Sequence, residues 1–236
     1  LVPGWAVMRC FRRGVSLSDA FAAGVLIAIM AFLFFSIFLD GIDAIVLAYR
    51  VTLAGVTVIS FFQLVSERQN GRQWRSEIAL TFSRFPVFLS TITILGAFLF
   101  IVTHSIGFDD VAHLQYLFDI KSETIFPVFI EIREGWSVAR YPMFGFLIKG
   151  LTSDLAGGGF FGYYFFGLLV LVFFLAKIYE VVLEATANSR TSAAAYLISL
   201  GILIIGSFDN YLNFGLYPLQ QAKLIFLTGI VYLIAF

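Results

Sequence analysis

The chain has 236 residues, of which 60% are hydrophobic and only 13% charged, and its mean hydropathy is +0.95. A soluble domain carries about 45–50 % apolar and about 25 % charged residues, so this composition excludes an ordinary water-soluble core and assigns much of the apolar surface to a bilayer. Fifteen basic residues balance fifteen acidic ones, which excludes a whole-chain field that would attract nucleic acid, and a single cysteine, Cys10, excludes an intrachain disulfide framework.

Apolar runs of the length a membrane helix needs, roughly 17–25 residues, recur along the chain. The first is Phe21 to Leu39, preceded by Arg9, Arg12 and Arg13. It is about 19 residues long with no small-residue cleavage site after it, so it reads as a span rather than a signal peptide. The second is Ala44 to Val65 and the third is Pro86 to Val102. A fourth is Phe160 to Ala176, a fifth is Ser192 to Phe208, and a sixth starts near Ala222. Tyr141 to Leu155 is apolar but short and holds Lys149, which suits a re-entrant or interfacial helix. Continuous runs predict helices, because an open strand leaves its backbone unpaired in lipid, and the alternating segments of a β-barrel are absent from the pattern. The expected fold is therefore all-α, a polytopic transmembrane helical bundle of about 6–7 spans forming one integral-membrane domain over residues 1–236. Because the chain opens on Leu1 and closes within an apolar run, it reads as a piece truncated at both ends.

Basic residues set the orientation. Arg9, Arg12 and Arg13 precede the first span, and Arg68, Arg72, Arg75 and Arg84 separate the second from the third, whereas the turn Asp40 to Asp43 has no basic residue. The N-terminus, the Arg68–Arg84 connection and Lys177 to Thr191 then fall on the cytoplasmic side. Residues 104–158 and the loop Asp209 to Gln221 fall outside. A bacterial plasma membrane is the expected location.

The outer segment 104–158 is about 55 residues long, against about 2–8 for an ordinary helix–helix connection. Phe126, Phe129, Trp136, Tyr141 and Phe144 make it too aromatic for a disordered tail, so short amphipathic helices along the membrane surface are expected. Its densest polar stretch contains Asp109, Asp110 and His113. On a helix capped by either aspartate, carboxylate and imidazole share one face. Such a set binds a divalent cation such as Mg or Mn, or acts as a general base on a hydroxyl; the plain alternative is a capped, hydrated surface helix. Asp119, Glu123, Glu131 and Glu134, interleaved with Lys121 and Arg133, read as a solvated face, and His104 as an interfacial residue. Arg140 precedes Pro142, a helix-starting residue, and is a candidate for a phosphate or for an acidic partner.

Elsewhere, Gly157 to Gly162 matches G-x-G-x-x-G in form, but no strand or βαβ unit surrounds it, so it reads as a flexible entry to the fourth span. Arg50 lies inside the second span, either snorkelling to the interface, pairing with Asp43, or marking a substrate path. Gln220, Gln221 and Lys223 follow Pro218 and either line a cavity for an anionic head group or stay hydrated.

From Pro86 to Phe236 the arrangement resembles the C-type (GT-C) polytopic membrane glycosyltransferases. A span leads into a long outer loop with an acidic pair near its start, Phe108-Asp-Asp-Val-Ala-His113, and aromatic helices and further spans follow. The resemblance implies a transferase that takes sugar from a polyprenyl-phosphate donor on the outer face of the membrane. It makes Asp109 or Asp110 the catalytic base or metal-associated carboxylate, and His113, Arg140 and Lys223 the substrate-binding residues. Membrane lipids and a lipid-linked sugar are then the partners. Two other classes compete: a transporter built around Arg50, Lys149 and Asp209, and a non-catalytic assembly subunit whose acidic loop is a docking surface.

Overall fold

The computed structural model describes residues 1–11, 14–38, 42–68, 79, 81–103 and 159–208, which form six α-helices and no strand. In chain order they are α1 (Val2–Phe11), α2 (Leu17–Phe38), α3 (Ile42–Arg68), α4 (Val87–Thr103), α5 (Gly159–Thr186) and α6 (Ser189–Phe208). The all-α expectation therefore holds for these residues. The sixth run, the short Tyr141–Leu155 segment and the whole loop 104–158 lie outside them.

The helix boundaries follow local chemistry. Ser16 caps α2: its hydroxyl accepts the Asp19 N–H at 3.1 Å, while its carbonyl accepts the Ala20 N–H. Asp19 thus sits in the first turn, where a carboxylate complements the helix dipole. Pro86 opens α4 and its carbonyl takes the Ser90 N–H at 2.9 Å. The α5–α6 hairpin closes on two residues. Ala187 takes a left-handed φ of 51° and sends its N–H to the Leu183 carbonyl, and the Asn188 side chain then accepts the Arg190 and Thr191 N–H groups.

Two of these elements depart from the sequence expectation. Helix α1 lies within residues read only as a basic flank, and α5 runs ten residues past the expected end at Ala176. The second departure matters more, because the extra turns carry Lys177, Glu180 and Glu184.

Helix α5 is the hub, packing against α2, α4 and α6, while α1 packs on α2 and α3. Leu171 and Leu175 of α5 meet Tyr196 and Leu203 of α6 in the core, with Leu89 and Ala97 of α4 against them. The Thr93 hydroxyl gives its proton to the Leu89 carbonyl at 2.9 Å, so the Tyr196 hydroxyl, 2.8 Å away, donates to Thr93 and ties α6 to α4. Small residues let α1 approach α2. A Cβ on Gly4 would overlap the Ala20 carbonyl oxygen and the Gly24 nitrogen.

Outside this core, large apolar side chains stay exposed along whole faces. Examples are Ile59 and Phe62 on α3, Phe88 and Leu99 on α4, and Ile198 and Ile205 on α6. Apolar faces this extensive are rare on water-soluble monomers and suit contact with hydrocarbon or another apolar partner. Among the described residues one stretch, Phe165–Thr186, is long and apolar enough to cross a membrane. Shorter apolar helical stretches are Leu17–Ala28, Arg50–Ser66, Val87–Leu99 and Ser189–Ile205.

Candidate functional site: a buried ionic cluster

At one end of the bundle three chain segments converge: the α1–α2 turn, the approach to α4, and the late turns of α5. Gly14, Val15, Ser16 and Asp19 come from the first, Thr81 and Arg84 from the second, and Lys177, Glu180 and Glu184 from the third, and together they line one cavity. Each is held by an identifiable feature. Gly14 has a φ of +81°, which bends the chain back from α1 into α2. The buried Thr81 hydroxyl donates to the Val15 carbonyl at 2.8 Å, tethering the approach to α4 against that turn. Lys177, Glu180 and Glu184 recur at three- and four-residue spacing, so one stripe of α5 presents all three.

The Lys177 ammonium donates to Asp19 Oδ1 at 2.6 Å, and the side chains are 11% and 3% exposed. At that burial the desolvation cost is large and is offset only by close pairing, so the contact joins α5 to α2 firmly once formed. One turn on, Glu180 Oε2 accepts a hydrogen bond from Ser18, and the Ser18 and Ser16 hydroxyls are themselves 2.9 Å apart. Arg84 and Glu184 pair at 3.2 Å at the rim, where exposure of 42% and 51% leaves such a bridge worth about 0–1 kcal/mol. The cluster thus grades from a dry ion pair to a wet one.

Aromatic side chains near the cluster residues in sequence pack together. Phe173 of α5 stacks on Phe21 of α2 with centroids 4.3 Å apart and planes 12° apart, and Phe85 meets Phe173 at a tilt with centroids 5.8 Å apart.

The cavity is about 20 Å³. That volume accommodates roughly one water-sized body, against about 300–1,000 Å³ for a typical ligand pocket, so neither a sugar nor a polyprenyl phosphate fits here. Among the described residues no group of three or more His, Cys, Asp or Glu side chains is arranged to hold a metal.

Most residues singled out from the sequence are not among those described. Asp109, Asp110, His113, Arg140 and Lys223 all lie outside the described residues, as do His104, Lys149 and Asp209. Arg50 is described, and it sits on an exposed face of α3 away from the cavity lining. Sequence reasoning passed over Asp19, Lys177 and Glu180. The signal was present: the apolar run of the fourth span resumes after Lys177 with Ile178, Tyr179, Val181, Val182 and Leu183. Ionisable residues embedded in such a run mark a functional position by default. Closing the span at Ala176 removed them from view.

No known family model, curated protein or solved structure matches this chain.

Proposed function

We propose that the chain is a multi-pass integral membrane protein that transfers sugar from a polyprenyl-phosphate donor at the membrane face opposite the ionic cluster. The observation that carries this reading is the course of α4. It starts beside Arg84 in the cluster, runs 17 residues or about 25 Å, and ends at Thr103, six residues before Asp109. In this reading, an acidic pair so close in sequence to the far end of an apolar helix has the lipid–water boundary within reach, where a membrane-borne donor keeps its phosphate. The basic residues gathered at the cluster end support a cytoplasmic assignment for that end and an outer one for the loop.

In this reading Asp109 or Asp110 accepts the proton of the acceptor hydroxyl as the new glycosidic bond forms. A divalent cation held by the pair, or Arg140 and Lys223, steadies the departing lipid phosphate, and His113 orients the acceptor. The small ionic cavity at the opposite end plays no part in the chemistry.

The test is Asp109→Asn and Asp110→Asn in the full-length protein, expressed at wild-type level. Loss of transferred glycan by at least about 100-fold in one of the two supports the assignment, since positioned general bases contribute about 10²–10⁴-fold. Unchanged glycan output from both sinks it. The transporter alternative centred on Arg50 draws no support from the exposed face on which that residue lies.

A further inference from the structure

The ion pairs at the cluster leave one carboxylate over. The cavity wall carries three acids, Asp19, Glu180 and Glu184, and two bases, Lys177 and Arg84. Lys177 is matched to Asp19 and Arg84 to Glu184. Glu180 has no such partner among these side chains. It is 4% exposed, Ser18 satisfies one of its oxygens, and Oε1 is buried with no hydrogen-bond partner. A buried carboxylate with a bare oxygen is among the costliest arrangements a fold can hold, and it persists when something outside the protein completes it.

The surroundings restrict what that something is. Among the described side chains on the wall, the formal excess is a single negative charge. The cavity takes about one water-sized body, and its wall offers the side-chain oxygens of Ser16, Asp19 and Thr81 beside the paired Lys177 and Arg84. The Lys177 and Arg84 nitrogens on the same wall are engaged by Asp19 and Glu184, and the oxygens beside Glu180 suit a hard cation.

We propose that this cavity binds one monovalent alkali cation of about the size of sodium, with Glu180 Oε1 as its anionic ligand. The bound ion bridges α5 to the α1–α2 turn and to Thr81, so occupancy fastens the same three segments that the ion pairs hold. The site is independent of the sugar-transfer reading and stands or falls without it.

The experiment follows thermal unfolding of the purified full chain in detergent. Sodium chloride is titrated against choline chloride at constant ionic strength, so that general screening does not change. Ligand that binds only the folded state stabilises it, and the expected result is a saturable rise in Tm of roughly 3–6 °C. Glu180→Gln keeps the side-chain shape and removes the charge, and its sodium and choline curves should superimpose. If that variant fails to fold, radioactive sodium binding to the wild type replaces it, with saturable uptake of about one ion per chain expected. A wild-type Tm that follows pH but not sodium would identify the occupant as a proton and overturn the proposal. So would a Tm indifferent to both, which would leave an ordered water, and so would the absence of saturable sodium binding.

Discussion

At the scale of single residues, Lys177 and Asp19 show how context sets the worth of a charge. Both are almost dry, and the ammonium meets the carboxylate at 2.6 Å. Removing one partner strands the other in a low-dielectric setting, which costs about 3–5 kcal/mol, whereas replacing both with apolar residues is often close to neutral. Lys177→Met should therefore destabilise the folded chain by about 3–5 kcal/mol, and Asp19→Leu combined with Lys177→Met should recover most of that. Chemical unfolding in detergent across the four variants measures the coupling. Additive single costs would show that the two side chains do not act as a pair. Arg84 and Glu184 form the same kind of contact in water, and by the same reasoning their loss costs about 1 kcal/mol or less.

At the scale of elements, the boundaries were readable to the extent that they rest on local chemistry. Pro86 announced α4, and the runs from Phe21 and Ala44 announced α2 and α3, because helix starts and apolar stretches are written into adjacent residues. The far end of α5 was not readable in this way. Charges at Lys177, Glu180 and Glu184 resemble the wet edge of a span, and only the partners on α2 and before α4 make that stripe part of the bundle. The turn after α5 shows a residual local conflict. Ala187 occupies a left-handed conformation that glycine adopts freely and that costs an L-residue roughly 1–2 kcal/mol. Ala187→Gly should therefore raise stability, by about 0.5–1 kcal/mol once the extra freedom of glycine in the unfolded chain is subtracted. A rise in Tm checks this; a fall would mean the alanine methyl makes a contact worth more than the strain.

At the scale of the whole molecule, the convergence of the α1–α2 turn, the approach to α4 and the end of α5 has a consequence for topology. The basic residues lead to the expectation that the segments bearing Arg9, Arg84 and Lys177 share one side of a membrane, and in the fold the α1–α2 turn, the approach to α4 and the late turns of α5 line one cavity. Cys10, the one native thiol, is exposed near that end, and Ser83 and Ala185 are exposed on the other two segments. In a Cys10→Ser background, Ser83→Cys and Ala185→Cys should react with a membrane-impermeant maleimide from the same side as Cys10 does in the native chain. Labelling of any two from opposite sides would refute a shared face.

The sequence by itself determined that this chain is helical and rich in lipid-compatible surface, because apolar runs and helix caps act over a few neighbouring residues. Its basic residues also give an expected side for each segment, because they report orientation one segment at a time. The tertiary structure alone decided where charge is buried. Asp19 and Lys177 are 158 positions apart, and Ser18 and Glu180 are 162 apart. An ion pair with that separation leaves no local periodicity. It exists only when α5 packs on α2, which removes water from both charges at once and makes each the other's main compensation. The same packing leaves Glu180 Oε1 without a partner, and that unmet oxygen is the feature no reading along the chain could have found.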